Sequence, residues 1–233
     1  MNKHCVKISL SVFLLLIAFS SYAQKSEVRE VAPFSEIGLS TAGVVYLTQG
    51  STQKVELKGS SEILEKIETE VRGGKLIIKH EGTGWFNWSK NDDLEIYITI
   101  NKIEGLSVSS SGKIIGQNKF KTDRLELSVS GSGKIEAQTD SDDLDISISG
   151  SGKIELGGTA SAVEASISGS GKIRAENLKA RSYKVRISGS GSCEVYAEES
   201  IDARISGSGS IYYKGEPKHI NSSTSGSGRI KKM

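Results

Sequence analysis

Three groups of residues in this chain have types and spacings that chemistry could use. Glu126, Asp145, Glu164 and Asp202 recur at nearly equal intervals, with Lys184 in the place between the last two. Carboxylates aligned on one exposed face are the equipment of a polysaccharide-active enzyme, which needs one as acid and another as base or nucleophile. Lys113, Lys134, Lys153 and Lys172 form a second row, and Glu136 and Glu155 each stand two residues beyond one of those lysines. Rows of opposite sign along one surface neutralise each other, and charge compensation on a solvated wall is favoured over a catalytic pair. The third group, Trp85-Phe86-Asn87-Trp88, lies in Glu81–Asp93 and holds both tryptophans of the chain. Aromatic side chains at a loop tip stack on sugar rings or dock on a partner. Trp85, Phe86 and Trp88 are therefore the candidate contacts, and filling a gap in the fold is the competing and favoured role.

Other chemistries fail on composition. Gly131-Ser132-Gly133-Lys134 resembles a phosphate loop, but that motif needs Ser or Thr after the lysine and a helix beyond it, whereas Ile135 follows. Calcium-binding β-rolls repeat an aspartate that the phrase lacks, and Asp140, Asp142 and Asp143 read as one solvated acidic turn. Cys193 is the one cysteine beyond the leader, so it forms no intramolecular disulfide and no zinc site. It fills an isoleucine position and reads as a small buried hydrophobe. His80 and His219 are isolated in the sequence. No cofactor, metal or catalytic residue is expected.

The elements that carry these residues are set by a repeated phrase. Ser-Gly-Ser-Gly-Lys-Ile occurs at 130–135, 149–154 and 168–173, with variants at 188–193, 206–211 and 225–230 and a precursor at 109–114. Its glycine pairs are Gly131 and Gly133, Gly150 and Gly152, Gly169 and Gly171, Gly189 and Gly191, Gly207 and Gly209, Gly226 and Gly228. A fixed period of about 20 residues means one structural unit stacked on itself. Within a unit, Leu144, Ile146, Ile148, Gly150, Gly152, Ile154 and Leu156 alternate with polar residues. A period of 2 is a strand signal. Every unit repeats in the same order, so the strands stack in parallel and identical residues form ladders. The expected fold is all-β: a single-domain parallel β-helix with coils of about 19–20 residues. The glycines are placed on the inner face as shapers of a bent corner, with serines outside. Gln138–Asp142, Gly157–Ala160 and Asn177–Ala180 are read as turns.

Residues 24–105 are less regular. Ser40-Thr41-Ala42-Gly43 stands in for the repeated phrase, and Val71–Leu76 reads as a hairpin-like turn. Ser61–Glu68 is compatible with a helical turn or a strand, and Leu94, Ile96, Ile98 and Ile100 mark a strand. These are expected to be degenerate coils preceding the regular ones at 106–233. In the last unit, Ser222 and Thr224 replace inward aliphatics and Lys231 and Lys232 add charge, as befits a terminal cap that discourages edge-to-edge growth. Ser26–Phe34 would cover the other end.

Residues 1–23 read as a secretory signal peptide: Lys3 and Lys7, a short apolar stretch, then Ser21-Tyr22-Ala23. No other segment is apolar enough to span a bilayer. Removing the leader takes away two lysines and leaves 28 basic and 28 acidic residues. That balance argues against a nucleic-acid partner. The location expected is exported: periplasmic, envelope or extracellular.

The stacked Gly-Ser-Gly-Lys-Ile phrases, the alternating strands before them and the Val31–Ile37 opening resemble the secreted bacterial family of auto-transporter adhesins with a head GIN domain. The resemblance runs from about Phe34 to the carboxyl terminus. It implies a β-helical fold and export, and it brings no catalytic residues. The function expected is a non-enzymatic surface for adhesion or ligand binding, with a cell-surface glycan or an envelope protein as partner. The alternatives are a polysaccharide-binding or polysaccharide-active β-helix and a structural envelope protein. The many-stranded membrane barrel of a true autotransporter does not occur in this sequence.

Overall fold

The computed structural model describes residues 25–81 and 94–233. The leader, Trp85, Phe86 and Trp88 lie outside the described residues. The irregular part comprises β1 (Lys25–Val28), β2 (Glu36–Leu39), β3 (Val44–Gln49), β4 (Lys54–Gly59), α1 (Ser61–Lys66), β5 (Ile67–Arg72), β6 (Lys75–His80), β7 (Glu95–Ile100) and β8 (Gly105–Val108). The regular part comprises β9 (Lys113–Gly131), β10 (Lys134–Gly150), β11 (Lys153–Gly169), β12 (Lys172–Gly189), β13 (Ser192–Gly207), β14 (Ser210–Lys214), β15 (His219–Gly226) and β16 (Arg229–Lys232).

Each long strand is one coil, paired in parallel with the next. Lys134 sits beside Lys153, Ile135 beside Ile154, Ser149 beside Ser168 and Gly150 beside Gly169. The same register links β9 to β10, β11 to β12 and β12 to β13, and it continues into β14, β15 and β16. The repeated sequence is thus a parallel β-solenoid, with equivalent residues about 4.8 Å apart. Ile114, Ile135, Ile154, Ile173, Cys193 and Ile211 form one fully buried column. Each isoleucine in it contributes roughly 1.5–3 kcal/mol relative to exposure.

The glycines divide the labour. Gly133, Gly152, Gly171, Gly191 and Gly209 are buried, whereas Gly131 is exposed and Gly150, Gly169, Gly189 and Gly207 are only half-buried. In the last coil Gly226 is exposed and Gly228 half-buried. Inward placement of both glycines of each pair is therefore corrected to the second alone. The first glycine turns the corner with φ near +116°, and that turn breaks the alternation. At Gly150 (φ +117°) a Cβ would lie 2.8 Å from the Gly131 carbonyl oxygen beneath it. At Gly152 a Cβ would lie 2.3 Å from Cγ1 of Val129. One position needs glycine for its backbone angle and the other for space.

A second correction concerns Gln138–Asp142, Gly157–Ala160 and Asn177–Ala180. These are paired strand, not turns: Thr139 lies beside Gly158, and Ala160 beside Ala180. Register shifts at Glu136/Gln138, Glu155/Gly157 and Ala175/Lys179 mark a bend ahead of them, and pairing lapses again between Ser141 and Asp143. With the glycine corner, each coil therefore has three straight runs. The third run is lined inside mainly by small residues such as Thr139, Ser141, Ala160 and Ala180, all buried, with Phe120 and Leu178 as large buried members. We term the run before the glycine corner the serine wall and the run after it the lysine wall.

The irregular part joins this stack out of sequence order. β2 pairs in parallel with both β6 and β8, and β3 with both β7 and β9. The β2–β3 coil, first in sequence, is therefore the middle layer between β6–β7 and β8–β9. The Ser40–Gly43 phrase does occupy the corner, with Ser40 Oγ 2.9 Å from Ser109 Oγ and Ser110 Oγ donating to the Thr41 carbonyl at 2.7 Å. Other segments are not coils at all. β1 and β4 pair antiparallel outside β7, and β5 and β6 form an antiparallel hairpin through Gly73 and Gly74, both at positive φ. α1 is capped by the Ser60 side chain, which accepts from the Ile63 N–H. Antiparallel strands close this end because a hairpin returns the chain within a few residues, where another parallel layer would need a full coil.

Gly150→Ala and Gly152→Ala should each lower unfolding free energy by about 1–3 kcal/mol through forced displacement of the adjoining coil. Ser151→Ala, between them and exposed, should stay within about 0.5 kcal/mol. Urea denaturation of the three variants is the check, and equal stability of all three would contradict the corner geometry.

Candidate functional site

The serine wall carries three outward rows along the solenoid axis. The first is Glu126, Asp145, Glu164, Lys184, Asp202 and Asn221; the second is Ser107, Ser128, Ser147, Ser166, Arg186, Arg204 and Ser223. The third is serine throughout: Ser130, Ser149, Ser168, Ser188, Ser206 and Ser225 in the regular coils, continued by Ser109 and Ser40. Strand alternation fixes these side chains outward while Ile146, Ile148 and their equivalents fill the core.

Short serines between longer flanking side chains leave a trough. One stretch, about 500 Å³, is lined by the two serine rows with Arg186 and Arg204. An adjoining stretch, about 560 Å³, runs along the first row and includes Arg124, Asp145, Glu164, Lys184, Asp202 and His219. The structure thus brings the sequence-predicted acidic row together on one face and gives Asp145, Glu164 and Asp202 cationic partners. Arg124 pairs with Asp145 at 2.6 Å, Arg186 with Glu164 at 2.5 Å, Lys184 with Glu164 at 3.1 Å and Arg204 with Asp202 at 3.5 Å. The Lys184 hydrogen bond, with Arg186 beside it, holds the Glu164 carboxyl below its usual range. A glycosidase-type acid needs a carboxyl displaced upward. Every carboxyl with a clear displacement among the described residues moves downward.

The lysine wall is a braced ion-pair lattice. Glu136 accepts from Lys113 and Lys134 at 2.6 Å each, Lys134 reaches Glu155 at 2.6 Å, and Glu155 also meets Lys153 and Arg174. Glu194 continues the lattice through Lys172 and Arg174. Burial works against Glu155 ionisation, yet hydrogen bonds and charge from Lys134 and Lys153 overcome it and lower its pKa to about 2. Toward the amino-terminal end the outward row that holds Glu136 and Glu155 becomes apolar: Ile115, Tyr46 and Tyr97 stack in register, with the tyrosine rings 5.0 Å apart and Lys58 over Tyr97 at 4.4 Å. Sequence reasoning missed this ladder because Tyr46 and Ile115 meet only through the non-sequential coil order.

Cys193 is wholly buried and burial pushes its thiol pKa up, so it is a poor nucleophile. Tyr183, also buried, donates its hydroxyl to the Leu178 carbonyl at 2.8 Å. His80 is in β6, and His219 lies at the carboxyl-terminal end of the trough. Asp140 accepts from Thr159, and no cluster of three metal-ligating side chains occurs among the described residues. No described helix is long and apolar enough to cross a membrane.

A family model described as "Putative auto-transporter adhesin, head GIN domain" matches residues 33–217. A crystal structure of a putative adhesin from Bacteroides fragilis superposes with a TM-score of 0.83 at 29% identity, covering 91% of this chain and 98% of that one. A putative lipid binding protein from Parabacteroides distasonis gives 0.71 at 27% identity, covering 90% and 96%. A putative adhesin from Parabacteroides merdae gives 0.71 at 19% identity, covering 90% and 96%, a likeness of fold. No curated protein matches the chain.

The Glu155 carboxyl gives the lattice a signed pH dependence. A pKa lowered from 4.5 to about 2 adds stability that is complete above pH 4.5 and disappears as pH falls to 2. Glu155→Gln should therefore destabilise the chain at pH 7 by on the order of 1 kcal/mol, allowing for partial exposure of the pairs. The gap from wild type should close between pH 4.5 and 2. Urea midpoints of both proteins across that range are the check, and a gap unchanged at pH 2 would refute the assignment.

Proposed function

We propose a function for this chain from one premise: it belongs to the family of putative auto-transporter adhesins with a head GIN domain. The chain is an exported, non-enzymatic binding protein whose serine wall holds an extended polar ligand, a cell-surface glycan, in adhesion. The observation that carries the reading is the trough itself. It offers hydroxyls at every coil, guanidinium groups at Arg186 and Arg204, and ion-paired carboxylates at its side. Hydroxyl donors and acceptors repeated along an axis suit a polymer of hydroxylated rings, because each coil adds a weak contact and the contacts multiply. The Glu164 carboxylate, held ionised by Lys184 and Arg186, can accept hydrogen bonds from sugar hydroxyls but is a poor proton donor. That property supports binding over cleavage. Export rests on the leader read at residues 1–23, and adhesion is supported by the family and by the Bacteroides fragilis relative. Trp85, Phe86 and Trp88 remain the second candidate contact.

Binding of residues 24–233 to a glycan array and to whole bacterial and host cells tests the reading. Arg186→Ala/Arg204→Ala, and separately Ser147→Glu/Ser166→Glu to fill the trough, should each weaken glycan binding about tenfold or more, as expected for charge-assisted hydrogen bonds. Melting temperature should stay near wild type. Trp85→Ala/Trp88→Ala serves as the comparison. Loss of binding in the tryptophan variant with none in the wall variants would move the site off the serine wall. Absence of binding to every glycan would sink the reading.

A further inference from the structure

The two ends of the solenoid carry unfinished business of complementary kinds. At the carboxyl-terminal end, β15 pairs only with β13 and β16 only with β14 among the described residues. At the amino-terminal end, among the described residues, β5 pairs only with β6 and β1 only with β4. Each of these four strands presents one edge whose backbone N–H and C=O groups have no strand partner among the described residues. The columns correspond: β15 and β5 are the outermost strands of the serine wall, and β16 and β1 those of the lysine wall. Their lengths also correspond, with eight and six residues on one wall and four on each side of the other.

The core stops short at the same places. Val31, Val71, Tyr213 and Ile230 are the partly buried hydrophobics that extend the core, and all lie near one end or the other. Val28 at one end, and Ile220 and Met233 at the other, are the large hydrophobics left exposed among the described residues. Charge separates the ends. Gly215–Met233 carries Lys218, Arg229, Lys231 and Lys232 against Glu216. β1, α1 and β5 together carry Glu27, Glu62, Glu65, Glu68 and Glu70 against Lys25, Lys66 and Arg72. Two carboxyl-terminal ends brought together would oppose basic coils, so the cap that Lys231 and Lys232 form discourages growth between like ends only; a carboxyl-terminal end brought to an amino-terminal end pairs basic with acidic.

We infer that a second copy of this chain docks head to tail, the β15–β16 end of one solenoid seating on the β5–β1 end of the next. β15 would meet β5 antiparallel, since β5 runs against the coils, and β16 would meet β1 in parallel. Ser222 and Thr224, inward on the last coil, face the row that holds Thr69 on β5, and hydroxyl pairs are at home in such cross-strand contacts. The contact is heterologous, so it does not close on itself and grows into rows of subunits. For an adhesive surface that continues one trough from subunit to subunit.

Sedimentation of residues 24–233 over a wide concentration range tests this. The expected result is a weight-average mass that rises past the dimer without a plateau and falls with added salt. Arg229→Glu/Lys231→Glu and Glu68→Lys/Glu70→Lys should each weaken association about tenfold, with circular dichroism and melting temperature unchanged. A monomer at every concentration would overturn the inference. So would a discrete dimer indifferent to the Glu68 and Glu70 changes, since that would be tail-to-tail pairing.

Discussion

Everything in this molecule depends on how closely one coil lies on the next at the glycine corner. The Gly131 carbonyl oxygen and the Val129 side chain occupy the space where Gly150 and Gly152 would carry a Cβ. Because both neighbours belong to the coil beneath, a side chain at either place would lift one coil off another. The lift would break the ladder hydrogen bonds that hold register, among them Ser151 N–H to Gly131 O at 2.9 Å and Lys153 N–H to Gly133 O at 3.0 Å. With register kept, the isoleucine column closes inside and the serine rows line up outside. The architecture and the presentation surface are two results of one steric limit.

The two charged walls show how a register held this tightly uses electrostatics. In-register stacking would place like charges about 4.8 Å apart in every ladder, which repels. The lysine wall answers by interleaving Glu136, Glu155 and Glu194 with the lysine row, so each cation meets anions of its own coil or the next. On the serine wall, Lys184 interrupts the acidic row and Arg186 and Arg204 interrupt the serine row. These interruptions neutralise Glu164 and Asp202 and also give the trough its few strong donors.

Much of this was legible in the sequence, and the parts that were not have a common cause. Period and parity determine the coil, the buried isoleucine column and the outward serines, because each is a local pattern repeated many times. Charge compensation between Lys134 and Glu136 could be read for the same reason. The third run was hidden because most of its inward positions are small or polar: Thr139, Ser141 and Ala160 give no apolar alternation, and the large inward residues Phe120 and Leu178 occur singly, so the segments resembled turns. The parity of Gly150 was hidden because a corner resets the alternation without changing the spacing. The stacking of Tyr46 on Tyr97 and the placing of β2 between β6 and β8 depend on contacts between distant segments that no repeat announces. The tryptophan segment was legible only as a composition anomaly.

That interleaving has a consequence for how the chain reaches its fold. In a solenoid stacked in sequence order, each coil can form on its predecessor with a loop of one period. Here Glu36 must find both Lys75 and Gly105 before the β2–β3 coil is flanked on its two sides. Closing such longer loops costs little in equilibrium terms, about 0.6 kcal/mol per doubling of length, but distant pairings slow the search. The β2–β3 coil therefore gains both of its flanks only when the two later coils are in place. The coils beyond β9, which follow sequence order, can be added or lost one layer at a time. Order of synthesis and order of assembly part company in this chain: its earliest coil is a template that waits for material from both of its later neighbours.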